Sequence, residues 1–283
     1  MSDVVFGRWR SGSMWLFTAA SLLTIGLGAI VMSRHDIDPG IYVRNPIAWL
    51  VAAIVAMVLA RRGWLVGFAA PFATIVIALS FLGPEQQDVH RWLGAGPIQF
   101  NAAALVLPLA IAAFMRERWW LAAPCLVLIA GLLAWQPDIS QLAAFGLAAA
   151  ILGASRFGLP GAIITPILAA AAVAVCVFFR TDPLEPVAHV EGIVFLAFSE
   201  TPIIATGMTV SLGLAALSPL LLWPIPSARP AALALAAYFS ATSLAFLLGA
   251  YPVPLAGYGL SFVMGWWLGF AALVIPKTGD RQG

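Results

Sequence analysis

The chain has 283 residues, of which 62% are hydrophobic and 9% charged, and 14 basic against 12 acidic side chains leave a net charge of +2. A water-soluble domain is nearer half apolar and one quarter charged, so these few charges cannot cover a soluble globule of this length. A secreted disulfide scaffold, a disordered tail, a nucleic-acid binder and a cytosolic enzyme are all excluded, which leaves a polytopic membrane protein.

Arg8 and Arg10 precede an apolar run from Met14 to Met32 that can cross a bilayer and ends without an A-x-A-like site, so it reads as a retained first span. With that run taken as 14–33, further apolar runs follow at 46–60, 64–83, 99–115, 119–135, 138–154, 159–179, 199–223, 229–250 and 259–275. Linkers such as Arg61-Arg62-Gly63 and Arg116-Glu117-Arg118 allow only hairpin turns between antiparallel helices. The expectation is an all-α integral membrane protein of about ten transmembrane helices. It forms a single domain over 1–283, with a short outer loop at 180–191 and a cytoplasmic tail at 276–283. An odd span count follows instead if 119–135 and 138–154 form one broken helix. Cys125 and Cys176 lie inside apolar runs without C-x-x-C spacing and read as small core residues, with no metal or redox role.

Charge asymmetry predicts the orientation. With both termini cytoplasmic, Arg8, Arg10, Arg61, Arg62, Arg116, Arg118, Arg156, Arg229, Lys277 and Arg281 lie inside, and only Arg34, Arg44, Arg91 and Arg180 lie outside. The acids Asp36, Asp38, Glu85, Asp88, Asp138, Asp182, Glu185 and Glu191 then face out, as do His35, His90 and His189. Chemistry is therefore expected on the outer face.

Four constellations stand out there. Arg91-Trp92-Leu93-Gly94-Ala95-Gly96-Pro97-Ile98-Gln99-Phe100 is either an interfacial anchor with a turn or part of a site. In Gln136-Pro137-Asp138-Ile139-Ser140-Gln141, Asp138 and Gln141 have capping-box spacing, which accounts for the stretch without function. Arg180-Thr181-Asp182-Pro183 leads to His189-Val190-Glu191, and Glu200 sits nine residues further on within an apolar run. A carboxylate placed there is costly, so Glu200 is expected to be functional or paired. Finally, Pro252-Val253-Pro254-Leu255-Ala256-Gly257-Tyr258-Gly259-Leu260-Ser261 breaks the backbone at membrane depth, which is tolerated where it is buried or lines a cavity.

In order and spacing these four stretches resemble the SEDS family (shape, elongation, division and sporulation), the FtsW, RodA and SpoVE type of cell-wall glycosyltransferase. That family carries R-W-x-x-L-G-P-x-x-F-Q-P-S-E, Q-P-D-x-G-T, H-T-D-F-I-F-A-x-x-A-E-E and P-L-P-F-I-S-Y-G-G-S-S. Matches fall at Arg91, Trp92, Gly96, Pro97 and Phe100, at Gln136, Pro137 and Asp138, at His189, Ile193 and Glu200, and at Pro252, Pro254, Tyr258, Gly259 and Ser261. The chain also departs from the pattern. The family Glu and the following Lys fall on Ala104 and Leu107, the Gly-Thr end of the second motif is lost, and the outer loop before the third is cut to about ten residues. The family's proposed catalytic aspartate falls on Glu191. The resemblance therefore implies a shortened, diverged relative.

It also implies a chemistry: joining the disaccharide units of lipid II at the outer face of the bacterial inner membrane, with undecaprenyl pyrophosphate leaving. The attacking sugar hydroxyl needs a proton acceptor, and Glu191 is the expected catalytic base. Arg91, Trp92, Asp138, Arg180, His189, Glu200, Tyr258 and Ser261 are the expected substrate-binding residues, with Arg91 or Arg180 supplying cation contacts to the pyrophosphate. No cofactor is expected, although a divalent cation is compatible with the family's chemistry. The alternative is a non-catalytic membrane scaffold or activator of a single-span transpeptidase or another membrane complex, which the loss of the Glu/Lys pair fits. A lipid-linked oligosaccharide transporter ranks last, because no inverted repeat is evident.

Overall fold

The computed structural model describes residues 3–62, 64–96, 98–179 and 182–275. Pro97, Arg180 and the tail at 276–283, with Lys277 and Arg281, lie outside the described residues. The chain begins with α1 (Asp3–Arg34), the four-residue α2 (Pro39–Tyr42), α3 (Arg44–Arg62) and α4 (Ala69–Leu79). Tight 3-10 turns at Trp64–Phe68 and Ser80–Leu82 flank α4. A hairpin of β1 (Trp92–Ala95) and β2 (Ile98–Asn101) comes next, then α5 (Ala102–Ala113), α6 (Trp119–Trp135), α7 (Ile139–Phe157) and α8 (Leu159–Phe179). The order closes with α9 (Ile193–Glu200), α10 (Pro202–Leu217), α11 (Arg229–Leu244) and α12 (Leu260–Val274). Without the short α2 and α9, one helix stands at each of the ten predicted spans.

Six of those segments are long and apolar enough to cross a membrane, whereas Val66–Leu82, Ala102–Arg116, Trp119–Trp135 and Leu260–Val274 are shorter. At 1.5 Å per residue, a 15-residue helix covers roughly 22 Å of a hydrocarbon core about 30 Å thick. Two of the short helices, α5 and α12, escape that requirement because protein surrounds them: α5 leaves only Leu105 unburied, and α12 is buried along most of its length. They pack on each other, and α3, α4, α7 and α11 surround them. Gly265 and Gly269 set the spacing. A Cβ on Gly265 would lie 2.0 Å from the Ala104 carbonyl oxygen, and one on Gly269 would lie 2.5 Å from Pro108 Cβ. Small residues four apart let helix backbones meet at this distance. By contrast, α8 has only 6% of its most apolar window buried and lies on the perimeter against α7.

Two expectations change and one, the separation of 119–135 from 138–154, stands. The stretch after Arg91 is an antiparallel hairpin, with Trp92 opposite Asn101 and Ala95 opposite Ile98, so the fourth span starts at Ala102 rather than 99. Gly96, directly after β1, has φ +61°, a backbone conformation that glycine adopts without strain. The eighth span starts at Pro202 rather than 199. Pro202 forces Thr201 into an extended conformation, and the Thr201 side chain accepts a hydrogen bond from the Ile204 amide at 3.3 Å, so α9 is a separate element. The pair 119–135 and 138–154 forms two helices, separated by a turn at Gln136–Asp138.

Candidate functional site

The site is built where the four constellations converge. Asp138 caps α7, its Oδ1 accepting from the Gln141 amide at 3.3 Å and from Ser140 Oγ at 3.2 Å. Asn101 caps α5 by accepting from the Ala104 amide at 2.9 Å, and its Nδ2 donates to Asp138 Oδ2 at 3.3 Å. Two helix starts are thus tied together through their caps. Arg91 crosses the same corner, donating from Nε to the Gln136 carbonyl at 3.0 Å and from one terminal nitrogen to the Pro137 carbonyl at 2.6 Å. That nitrogen also contacts Asp182 Oδ2 at 2.7 Å, while Asp138 Oδ2 lies 3.9 Å from Nε.

The third and fourth constellations are joined by their backbones. The Val253 amide donates to the Val190 carbonyl at 3.2 Å, and the Tyr258 amide donates to the His189 carbonyl at 3.0 Å. Contact this close explains Gly257, where a Cβ would lie 2.4 Å from the Val190 oxygen. Asn45, buried at the start of α3, holds the other side of the Gly257–Gly259 turn. Its Nδ2 donates to the Gly257 carbonyl at 2.8 Å, and its Oδ1 accepts from the Gly259 amide at 3.3 Å. Arg44 donates to the Tyr258 hydroxyl at 3.2 Å.

These contacts enclose a cavity of about 470 Å³, the size class of small-molecule sites. Arg91, Trp92, Asp138, His189, Glu191, Tyr258 and Ser261 all line it. Glu191 accepts a hydrogen bond from the Val187 amide at 2.7 Å through Oε2. Burial pushes its carboxyl above the ordinary 4.5 and the negative charge of Asp182 adds to this, while backbone hydrogen bonds from Val187 and from its own amide pull the other way. Burial also lowers the pKa of His189, which favours a neutral imidazole.

Glu200 does not join them. It ends α9 and reaches back to the end of α1, 3.3 Å from Arg34 and 3.5 Å from His35. The short helix α9 lifts this carboxylate out of the apolar segment, so it is paired, partly exposed and outside the cavity. Arg180 lies outside the described residues. Asp182, Asn101, Gln141 and Tyr238, like Arg44 and Asn45, line or support the site and were not among the expected site residues. Asp182 stands 91 positions from the arginine it meets, and Asn101 fell inside the predicted span 99–115. Gln141 lines the cavity and accepts a hydrogen bond from the hydroxyl of buried Tyr238, on α11.

The carboxylates of Asp138, Asp182 and Glu191 are engaged with donors of the protein itself. Among the described residues no group of three His, Cys, Asp or Glu side chains is placed to hold a metal ion, and Asp138 and Asp182 are both committed to Arg91. As they are placed, these described carboxylates are held by Arg91 and by backbone and side-chain donors.

No protein-family model matches the sequence, and no curated protein matches it. Solved structures do. The chain superimposes on the rod shape determining protein RodA of Thermus thermophilus with a TM-score of 0.69 at 18% identity, over 95% of this chain and 97% of that one. An aspartate-to-alanine mutant of the same protein gives a TM-score of 0.69 at 19% identity, over 95% and 98% of the two chains. A structure described as coordinating polymerization and crosslinking in a peptidoglycan synthase complex gives 0.67 at 18% identity, over 95% and 98%. This chain has the RodA fold, and it is a polytopic, multi-pass membrane protein.

Proposed function

We propose that this chain is a shortened SEDS-like protein of bacterial cell-wall synthesis that polymerises lipid II at the outer face of the inner membrane. The observation that supports this reading best is the meeting of four distant chain segments around one cavity that contains Glu191. In the reaction, the attacking hydroxyl of one sugar gives its proton to the Glu191 carboxylate. Its oxygen bonds to the anomeric carbon of the donor sugar, and the bond from that carbon to the pyrophosphate breaks. The electron pair leaves with undecaprenyl pyrophosphate. A carboxylate with a raised pKa is the stronger base for that transfer. Arg91 faces Asp138, Asp182, Glu185 and Glu191 around the cavity, so the described surface suits neutral sugar hydroxyls and amides. The diphosphate sits toward the first turn of α12, where Gly259 supplies no side-chain cap and Leu260, Ser261 and Phe262 line the cavity.

Incubating the purified protein with labelled lipid II, with and without a single-span transpeptidase partner, tests the reading by the appearance of polymer on a gel. One observation favours the scaffold alternative: Ala104 and Leu107, fully buried and apolar, occupy the place of the family's charged pair. Failure of the wild type to polymerise with its native partner present would favour that alternative. Both termini belong in the cytoplasm on this reading. An impermeant thiol reagent applied to intact cells should label Glu185→Cys and spare Lys277→Cys; the reverse pattern overturns the orientation.

Glu191 also predicts a pH profile. The base works only when deprotonated, so activity should fall as pH drops through a midpoint above 4.5, the ordinary carboxylate value. The stability contribution has the opposite sign. A carboxyl whose folded pKa is raised favours the folded state fully below its unfolded pKa and loses that contribution as pH rises through the folded value. Initial rates against pH check the first statement, and thermal melts of the same protein check the second.

A further inference from the structure

We propose that Arg91 and Asp182 form a clamp that fixes the outer segment 182–191 against the cavity, making both of them positioning residues for Glu191. The clamp rests on the reading of Glu191 given above. The Arg91 half is held before the loop reaches it. Its backbone carbonyl accepts from the Ala102 amide at 2.9 Å, which ties it to the start of α5, and its guanidinium is held by the carbonyls of Gln136 and Pro137. With its side chain only 10% exposed, the guanidinium has little freedom to turn toward a ligand. Three donated hydrogen bonds end on protein acceptors, and the third is the 2.7 Å contact with Asp182. Charge-assisted contacts of this kind are shorter and stronger than neutral ones.

On the loop side, Asp182 uses both carboxylate oxygens. Oδ2 meets Arg91, and Oδ1 accepts from the Leu184 amide at 3.2 Å, which starts the turn leading to Val187. The far end of the loop is anchored separately by the backbone pairs Val190–Val253 and His189–Tyr258. Between these two anchors, the Val187 amide orients the Glu191 carboxylate. Releasing Asp182 therefore frees the end of the segment that carries the Val187 amide. Asp182 is linked to Glu191 by charge as well as by tether, since its carboxylate helps to raise the Glu191 pKa. This assignment replaces the expected role of Arg91 as a pyrophosphate ligand.

Hydrogen–deuterium exchange on the full chain in detergent tests the clamp. In Asp182→Ala, the amides of 184–191 should exchange about tenfold faster, with α5 and α12 unchanged. Asp182→Glu, which keeps the charge, should restore most of the protection. In the polymerisation assay, Asp182→Asn should move the acidic limb of the pH profile to lower pH, because it removes a negative charge near Glu191. Unaltered exchange in Asp182→Ala overturns the clamp, whether or not the wild type polymerises lipid II. An acidic limb that stays in place or moves up overturns the positioning role. Faster exchange in a protein that makes no polymer leaves the clamp standing and removes the catalytic reading of Glu191.

Discussion

Glu191→Gln is expected to lower polymer formation by about 100- to 10,000-fold, the usual contribution of a positioned general base. Glutamine keeps the size of the side chain and an oxygen that can still accept from the Val187 amide, so the loop should keep its conformation. It also removes a carboxylate that burial disfavours, so the variant should melt at or above the wild-type temperature near neutral pH. Glu191→Asp restores the residue of the resembled motif and should retain measurable activity, reduced because ~1 Å of misplacement can cost about 100-fold. Glu200→Gln is the control. It breaks a partly exposed pair with Arg34, worth about 0–1 kcal/mol, outside the cavity. Gel assays of the four proteins decide the matter. Normal polymerisation by Glu191→Gln would remove Glu191 from the mechanism, and equal behaviour of all variants would point to a scaffold.

The largest effect on folding is expected at Gly265. Even alanine there places a methyl carbon 2.0 Å from the Ala104 carbonyl oxygen, and that oxygen belongs to a helix backbone that cannot swing aside as a flexible side chain would. Over-packing of this kind costs about 1–3 kcal/mol or more, and Gly265→Leu should exceed that range because its side chain must displace α5 bodily. Both α5 and α12 contribute to the site, through Asn101, which caps α5, and through Leu260, Ser261 and Phe262, so cavity and fold should fail together. Gly213→Ala is the contrasting substitution. It lies in α10 with open space around the added methyl, and should be neutral or stabilise by up to about 1 kcal/mol, through helix propensity. Melting curves and size-exclusion profiles in detergent compare them. A Gly265→Ala variant as stable as the wild type would show that the α5–α12 spacing adjusts freely.

The membrane class, ten spans and most helix ends were legible in the residues, because apolar runs and end signals act locally. Asp138 and Gln141 show the point, since a cap three residues from the amide it binds has the same geometry in the sequence as in the fold. The hairpin was less legible, because Phe100 and Ile98 look like the start of an apolar span until the pairing of Trp92 with Asn101 is known. Glu200 was misplaced for a related reason. Counting residues put it inside a span, whereas that span begins only at Pro202 and leaves the carboxylate at the end of the short α9, paired with Arg34.

The sequence by itself determined the solvent, the number of spans and the four polar stretches, since each depends on the composition of a short segment. Only the tertiary structure decided which helices face lipid and which carboxylates face the cavity. Lipid is as apolar as leucine, so α5, almost wholly buried, and α8, almost wholly peripheral, carry the same kind of apolar residues. The pairing of Arg91 with Asp182 and the close approach of Gly257 to Val190 depend on how distant segments stack, and no local pattern encodes that arrangement.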